Sequence, residues 1–308
     1  MKRKFAILGI ILIFVSGIAV MSYPLVSSVI NNIDSRSHIQ EYTDKTKQMS
    51  SAETLKTLES AQKYNESLTN NVVITDPFDE DAYDKIGANY EDALNVDGNG
   101  LIGYIDIPKI NVYLPIYHGT TDKVLAKGAG HLQNTSLPVG GESTHSVISA
   151  HTAYPGETFF DYLTDMEEGD EFYVHVLDRV LKYKVDSIKV ILPEETDALR
   201  IVNGKDYVTL LTCTPYSVNT HRLLVRGERV AYDDSEYITT GASAASFADD
   251  GIFFLGYKIP YFAAVLIIAC VIAVVVIVVT IRLKRSKKKK HLINNGQDDE
   301  ITENQDGD

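Results

Sequence analysis

The sequence has very few cysteines, only Cys213 and Cys270 among 308 residues. Cys270 lies inside a long apolar stretch near the C-terminus, where it acts as a small hydrophobic residue. Cys213 is therefore the only thiol in the remaining, largely polar part of the chain. A single thiol excludes an internal disulfide there, so Cys213 is either an inert residue or a nucleophile.

Metal and phosphate sites are also missing from the sequence. No group of His, Cys, Asp and Glu has the spacing of a metal site, and no glycine motif is typical of phosphate binding. Residues 95–100 resemble a calcium loop, but its first position is Asn95 and its twelfth is Asp106, where a bidentate Glu is expected. We interpret these residues as a turn and predict no metal and no cofactor.

Two apolar segments predict a membrane hairpin. Residues 5–23 follow three basic residues and are just long enough to cross about 30 Å of bilayer core, which favours an anchor over the alternative, a cleaved signal-like segment. Residues 259–281 carry no charge, contain many Val, Ile and Ala residues, and precede a second basic cluster. The positive-inside rule places both chain ends, residues 1–4 and 282–308, in the cytoplasm and the region between the spans outside the cell membrane.

The external region is acidic. It contains 19 of the 29 Lys and Arg residues and 36 of the 42 Asp and Glu residues, a formal charge of −17. Such a surface repels anionic polymers, although an acidic surface also serves solubility. Because the C-terminal basic cluster directly follows a predicted span, topology explains it better than nucleic-acid binding does. We predict no nucleic-acid partner.

The external region divides into a helical part and a β-rich part. Residues 24–100 are predicted to be helical with a loop at 75–81, because residues 34–69 lack Gly and Pro and Pro77 interrupts any helix. Residues 101–230 form short runs of β-branched and aromatic residues between turn residues, which indicates a closed β-barrel or a sandwich. Residues 231–258 are predicted to be a flexible tether.

A cysteine attacks a carbonyl as the thiolate, which requires a cationic neighbour or a helix N-terminus. Sequence alone leaves four histidines open as that neighbour: His118, His131, His145 and His151. A histidine at the end of a strand is more often structural than catalytic, and a single arginine such as Arg222 is more often a solvated surface charge. The spacing between Cys213 and Arg222 permits two neighbouring antiparallel strands joined by a turn at 215–218.

Two runs carry a more specific motif: Thr-Leu-Leu-Thr-Cys at 209–213, and Asn-Thr-His-Arg-Leu-Leu-Val-Arg-Gly at 219–227. Together they resemble the active-site signature of sortases, the cysteine transpeptidases of Gram-positive surfaces. The similarity extends over residues 103–229. Asp76-Pro77-Phe78 and the C-terminal span resemble features of the class C, pilin-polymerising sortases. One departure is Ser217, where many members have Gly.

The resemblance implies a mainly β fold: a closed sortase-type β-barrel with short helices, preceded by the helical region with its lid and flanked by two transmembrane helices. It implies that Cys213 is the nucleophile, His151 the catalytic histidine and Arg222 the oxyanion-stabilising or substrate-orienting group. It also implies that Asp76 pairs with Arg222 while Phe78 covers the thiol. From spacing alone, an ordinary Asp-Pro surface turn would be the better interpretation.

The activity that the resemblance implies is cleavage of a Leu-Pro-X-Thr-Gly-like sorting signal between Thr and Gly, through a thioacyl intermediate, and transfer to a pilin lysine. The expected partners are pilin subunits, with a lipid-linked cell-wall precursor or a housekeeping sortase as further candidates. The alternatives are a sortase that attaches proteins to cell-wall precursors and, in a different class, a non-catalytic membrane-tethered binding module.

Overall fold

The computed structural model describes four main stretches of the chain, residues 33–68, 74–78, 90–155 and 157–233. It also describes residues 251–254 and 257–260 and the isolated positions 16, 17, 20, 23, 27, 31 and 282. The chain divides into two compact units, Met1–Ala245 and Ser246–Asp308.

Most of the predicted membrane segments lies outside the described residues. Only four positions of the predicted anchor at 5–23 are described, and residues 261–281 of the predicted C-terminal span are not. Of the chain ends, only Arg282 is described. Residues 79–81 of the predicted lid and most of the tether also lie outside them. Within the described part of the chain, no helix combines the length and the apolar character that a bilayer crossing requires.

Two helices precede the barrel, as the polar stretch without Gly and Pro predicts. Helix α1 covers residues 33–48 of the described chain, and α2 is Ser51–Ser67. Ser50 starts α2 with a capping box, in which its side chain accepts from the Glu53 N–H and Glu53 accepts from the Ser50 N–H at 2.8 Å. The buried side of α2 is Ala61, Tyr64 and Asn65.

Eight strands form a closed barrel, which confirms the predicted fold of the β-rich region. The strands are β1 Leu101–Ile107, β2 Val112–His118, β3 Ala129–His131, β4 Thr144–Ser149, β5 Glu171–Val176, β6 Arg179–Ile191, β7 Asp206–Thr214 and β8 His221–Arg229. Their order around the barrel is β1-β2-β3-β4-β7-β8-β6-β5. The pairs β2–β3 and β4–β7 are parallel and the other pairs are antiparallel. The barrel is therefore mixed.

The remaining elements are short. Helix α3 is Asp122–Leu125, and 3-10 turns lie at Pro108–Ile110, Leu163–Asp165 and Thr196–Leu199. The second unit contains an antiparallel hairpin of β9 (Gly251–Phe254) and β10 (Tyr257–Pro260). Strand β10 thus occupies the first two residues, 259 and 260, of the predicted C-terminal span. Residues 95–100 are a turn, as predicted, in which the Gly100 N–H donates to Asn95 Oδ1 at 2.9 Å.

Side chains along the strands face the inside and the outside of the barrel in turn, which separates two apolar clusters. Ile148, Leu210 and Val225 belong to the main core, which fills the barrel. Their sequence neighbours Val147, Leu211 and Leu224 face the opposite side of the same strands. Together with Leu132 and Leu199 they form a second cluster, which we call the outer cluster. Because successive side chains point to opposite faces of a sheet, the outer cluster lies on the outside of the barrel.

Candidate active site

Strands β7 and β8 place Cys213 and Arg222 directly opposite each other. The two residues are register partners in this antiparallel pair, with the turn at 215–218 that the spacing predicts. Cys213 shares its face of β7 with Leu211, and Arg222 shares its face of β8 with Leu224. Both side chains therefore project from the outer face of the barrel.

The parallel pairing of β4 with β7 places His151 in the same row. The register runs from Thr144 opposite Asp206 to Ser149 opposite Leu211 with a constant offset. Two hydrogen bonds continue this alignment beyond Ser149: the Ala150 N–H donates to the Leu211 carbonyl at 3.2 Å, and Thr212 Oγ1 donates to the Ala150 carbonyl at 2.7 Å. The next step in the register aligns His151 with Cys213.

The structure also separates the four candidate histidines. His131 and His145 are completely buried, and burial lowers the pKa of His131 to about 3 and that of His145 to about 4. Both rings are held by hydrogen bonds, His131 Nε2 to the Ser136 carbonyl at 2.8 Å and His145 Nδ1 to the Arg200 carbonyl at 2.9 Å.

His118 packs edge-on against Tyr90, with a ring separation of 4.9 Å. It lies at the end of β2, whereas His151 aligns with Cys213 through the β4–β7 register. Geometry therefore favours His151 among the four as the partner of the thiol, in agreement with the family motif. Its catalytic role remains a prediction.

Arg222 is bound on its other side by the predicted lid. Its Nε donates to Asp76 Oδ1 at 2.8 Å and its Nη2 donates to Asp76 Oδ2 at 2.6 Å. Both side chains are nearly buried, with exposed fractions of 10% and 13%. The Arg222 Nη1 donates to the carbonyls of Asn219 and His221, each at 3.0 Å. All three guanidinium nitrogens thus donate to Asp76 or to the turn before β8.

Phe78 lies between the arginine and the histidine. Its ring centre is 5.2 Å from the Arg222 guanidinium and 5.5 Å from the His151 ring. Phe78 and Ile74 both pack against the outer cluster, which explains how this short segment stays on the barrel. The contact between Asp76 and Arg222 that the resemblance implies is present, while the opening of the segment as a lid remains a prediction.

Burial favours the neutral forms of both Cys213 and His151 in this arrangement. The pKa of the Cys213 thiol is raised to about 11 by burial, which outweighs the lowering effect of Arg222, and the charge of Asp76 raises it further. The pKa of His151 is lowered by burial, against a smaller opposing effect from Asp122. A neutral thiol beside a neutral imidazole is therefore the favoured state when Asp76 is paired with Arg222.

A groove of about 530 Å³ opens beside the guanidinium. One wall is the 74–78 segment and the other is the connection from β6 to β7. Its lining residues are Ile74, Thr75, Asp76, Phe78, Pro193, Glu194, Thr196 and Arg222. The groove therefore reaches Arg222, whereas Cys213 and His151 are not among its lining residues.

Sequence reasoning missed the residues that support the histidine. Tyr154 stacks on His151 with a ring separation of 5.1 Å and an angle of 17° between the rings. Asp161 accepts from the Ala153 N–H at 3.0 Å, and the Phe160 N–H donates to the His151 carbonyl at 3.0 Å. The local signal, aromatic residues in a loop after a strand, is too common to identify them.

Ser217, the departure from the family pattern, has a φ of 64°. This is the left-handed region, in which glycine is favoured because a Cβ atom is strained there. The structure thus gives the physical reason why a glycine suits this position of the turn between Cys213 and Arg222.

Comparison with known proteins identifies the family. A model of the sortase domain matches residues 105–230. The crystal structure of sortase C-1 from Streptococcus pneumoniae is 48% identical, with a TM-score of 0.60, over 64% of this chain and 100% of that one. The chain belongs to the sortase family.

Other relatives agree with this assignment. The pilus-related sortase C of Group B Streptococcus is 45% identical, with a TM-score of 0.57, over 63% of this chain and 97% of that one. Sortase A of Bacillus anthracis is 26% identical over 44% of this chain, and sortase D of Bacillus subtilis is 30% identical over 42% of it. The alignments span 63% of the length of each of these two curated relatives. Both solved structures named above are sortases C.

Proposed function

We propose that this sortase is a membrane-anchored cysteine transpeptidase that joins pilin subunits. The observation that carries the proposal is the row of His151, Cys213 and Arg222 across three neighbouring strands, in a chain 48% identical to sortase C-1 of Streptococcus pneumoniae. The partners are pilins with Leu-Pro-X-Thr-Gly-like sorting signals, because solved structures with this likeness include a pilus-related sortase C. The catalytic unit faces the outside of the cell.

In the first half of the reaction, Cys213 passes its proton to His151 and attacks the carbonyl carbon of the signal's Thr as the thiolate. The C–S bond forms, and the negative charge that develops on the carbonyl oxygen is stabilised by a charge-assisted hydrogen bond from Arg222. The C–N bond to Gly then breaks, and His151 donates the proton that the leaving amine requires. A thioacyl enzyme results.

In the second half, the amine of a pilin lysine attacks the thioacyl carbon. The C–N bond of an isopeptide forms as the C–S bond breaks, and His151 accepts a proton from the attacking nitrogen. Because Asp76 occupies the guanidinium in the closed arrangement, the 74–78 segment must leave Arg222 before substrate binds.

The test uses the full-length chain in detergent micelles with a set of peptides that vary the X position of Leu-Pro-X-Thr-Gly. Mass spectrometry of the intact protein is expected to show one added acyl fragment, and peptide mapping is expected to place it on Cys213. The Cys213→Ala variant should form no adduct and no pilin polymer, whereas Cys270→Ala, the matched control, should behave as the unchanged protein.

Two outcomes would contradict the proposal. If Cys213→Ala still polymerises pilin, the nucleophile assignment fails. If the unchanged enzyme forms the adduct but transfers it only to a cell-wall precursor amine, the chain is an anchoring sortase rather than a pilin polymerase. A chain that forms no adduct with any peptide would instead support the non-catalytic binding module.

A further inference from the structure

The loop after β4 holds a carboxylate close to the backbone of His151. Asp161 Oδ1 accepts from the N–H of Ala153, which lies two residues after His151 and has a φ of 57°. The neighbouring Phe160 N–H donates to the His151 carbonyl at 3.0 Å. Asp161 is therefore fixed relative to His151 by two short backbone contacts.

The turn after Cys213 reaches the same carboxylate from the other side. Tyr216, three residues after Cys213, is 64% exposed, and its pKa is raised by burial and then by the charge of the nearby Asp161 carboxyl group. The pKa of Tyr162 is raised by burial and then by the charge of Asp161, which places a second phenol ring near this carboxylate. Asp161 thus lies between the histidine loop and the cysteine turn, with two tyrosines beside it.

One oxygen of this carboxylate has an unmet bonding capacity. Asp161 Oδ2 is buried and has no hydrogen-bond partner among the residues that the structure describes. A buried carboxylate oxygen without a donor is costly, and native structures seldom keep one without a functional reason. Asp161 Oδ2 can therefore accept a further hydrogen bond, and a positively charged donor would give the strongest one.

The groove and Asp161 are associated with different neighbours of β7, the groove with β8 and Asp161 with the loop after β4. The groove extends from Arg222 toward Pro193 and Thr196, after β6. Asp161 belongs to the loop that follows His151, on the β4 side of the row. A sorting signal in the groove would therefore leave the Asp161 side open for a second substrate.

We propose that Asp161, flanked by Tyr162 and Tyr216, binds the ammonium group of the acceptor lysine. This inference rests on the proposed function, and it assigns the second substrate a binding residue. A lysine arrives as a cation, for which a carboxylate supplies a charge-assisted hydrogen bond and phenol rings supply cation–π contacts. In the complex, the ammonium donates to Asp161 Oδ2, beside the phenol rings of Tyr162 and Tyr216.

The aminolysis step balances without any further reactant. The ammonium loses one proton to His151 to become the attacking amine, and the C–N bond forms as the C–S bond to Cys213 breaks. The nitrogen gives up its second proton to the leaving thiolate. The products are the isopeptide and the Cys213 thiol, and the proton on His151 passes to solvent. Asp161 binds the acceptor and forms no covalent bond.

A purely structural role makes a different prediction. Asp161 also holds the Ala153 N–H, so its loss could disturb His151 and slow every step. The Asp161→Asn variant separates the two roles, because the amide oxygen still accepts from Ala153 while the negative charge is gone. Asp165→Asn is the matched control: it removes the same charge from the same loop at an exposed position.

The experiment starts from the thioacyl enzyme formed by the full-length chain and measures its consumption near neutral pH. One acceptor is the cationic probe Nα-acetyl-lysine amide, and the other is hydroxylamine, which is largely uncharged there. Asp161→Asn is expected to slow transfer to the lysine probe at subsaturating concentration by about tenfold to a hundredfold, the usual difference for a hydrogen bond to a charged partner. Thioacyl formation, transfer to hydroxylamine and the Asp165→Asn variant should be unchanged.

A second variant covers the case in which Asp161→Asn does not fold. Tyr216→Lys places an internal ammonium beside Asp161 on an exposed turn, and it should block transfer to the lysine probe while leaving transfer to hydroxylamine intact. Equal slowing of both acceptors, or no slowing of either, overturns the inference. Failure of the unchanged enzyme to form a thioacyl adduct overturns the proposed function instead, so the two failures are distinguishable.

Discussion

Replacing Asp76 with asparagine is expected to make Cys213 more reactive. The carboxylate makes two short hydrogen bonds to Arg222 in a nearly buried site, and its charge raises the pKa of Cys213. Asparagine keeps the shape of the side chain but removes the charge. The guanidinium then acts on the thiol without an opposing carboxylate, so the pKa of Cys213 falls.

The size of the effect follows from the ionisation of the thiol. With a pKa of about 11, only about one thiol in a thousand is ionised at pH 8. A nearby charge shifts such a pKa by about one unit or more, and each unit increases the thiolate fraction about tenfold. A less basic thiolate is a weaker nucleophile, which reduces the gain in rate to about three- to fourfold for each unit.

The assay is the alkylation rate of Cys213 by iodoacetamide as a function of pH. For the unchanged protein the rate should rise with pH up to about 11, and in Asp76→Asn the midpoint should lie at lower pH. The matched control is Asp186→Asn, which removes the charge from another two-bond arginine pair, with Arg226 on the same strand and face. It should leave the profile unchanged.

The outcome that refutes this reasoning is an unchanged midpoint in Asp76→Asn. A higher rate with the same midpoint would mean that the segment only covers the thiol and does not set its charge state. Phe78→Ala measures that covering effect separately, because it removes the ring over Arg222 and His151 while keeping the carboxylate.

Two further predictions concern stability. Burial lowers the pKa of His131 to about 3 and those of His145 and His175 to about 4, so these rings stay neutral in the folded protein while they ionise in the unfolded chain. Stability should therefore be lost as pH falls below the unfolded value of about 6.5, by about 2 kcal/mol for each histidine at pH 5. Urea unfolding at several pH values checks this. A His145→Gln variant whose free energy of unfolding depended on pH as steeply as that of the unchanged protein would contradict it. Ser217→Gly should raise the unfolding free energy by up to about 1 kcal/mol, because glycine removes the left-handed strain; Asn219→Gly, at a φ of 61°, should gain less because asparagine tolerates this region.

Much of the fold is predictable from local patterns. The stretch at 34–69 without Gly and Pro became two helices, and the runs of β-branched and aromatic residues became the strands of one barrel. Local patterns were less reliable for side-chain burial. Leu55 of α2 is apolar, but it is 56% exposed, whereas Ala61 and Tyr64 of the same helix are buried. A weakly amphipathic helix presents two plausible faces, and only its docking onto the barrel selects one.

Some residues of the candidate site could be identified from the sequence, and others only from the tertiary structure. The sequence alone determined that Cys213 is the single thiol outside the apolar stretch. Its spacing to Arg222 permitted a pairing across an antiparallel turn, which the structure shows. Without the family motif, His151 could be selected only from the parallel register of β4 with β7. The paired residues of these strands are 62 positions apart in the sequence.

Only the tertiary structure decided which groups act on the thiol. The pairing of Asp76 with Arg222 spans 146 residues, and the approach of Asp161 to Tyr216 joins two loops from different strands. Charge and burial act through space, so the pKa of Cys213 depends on neighbours that no local pattern specifies. The sequence determined which chemical groups the chain carries; the closure of the barrel determined which of them meet.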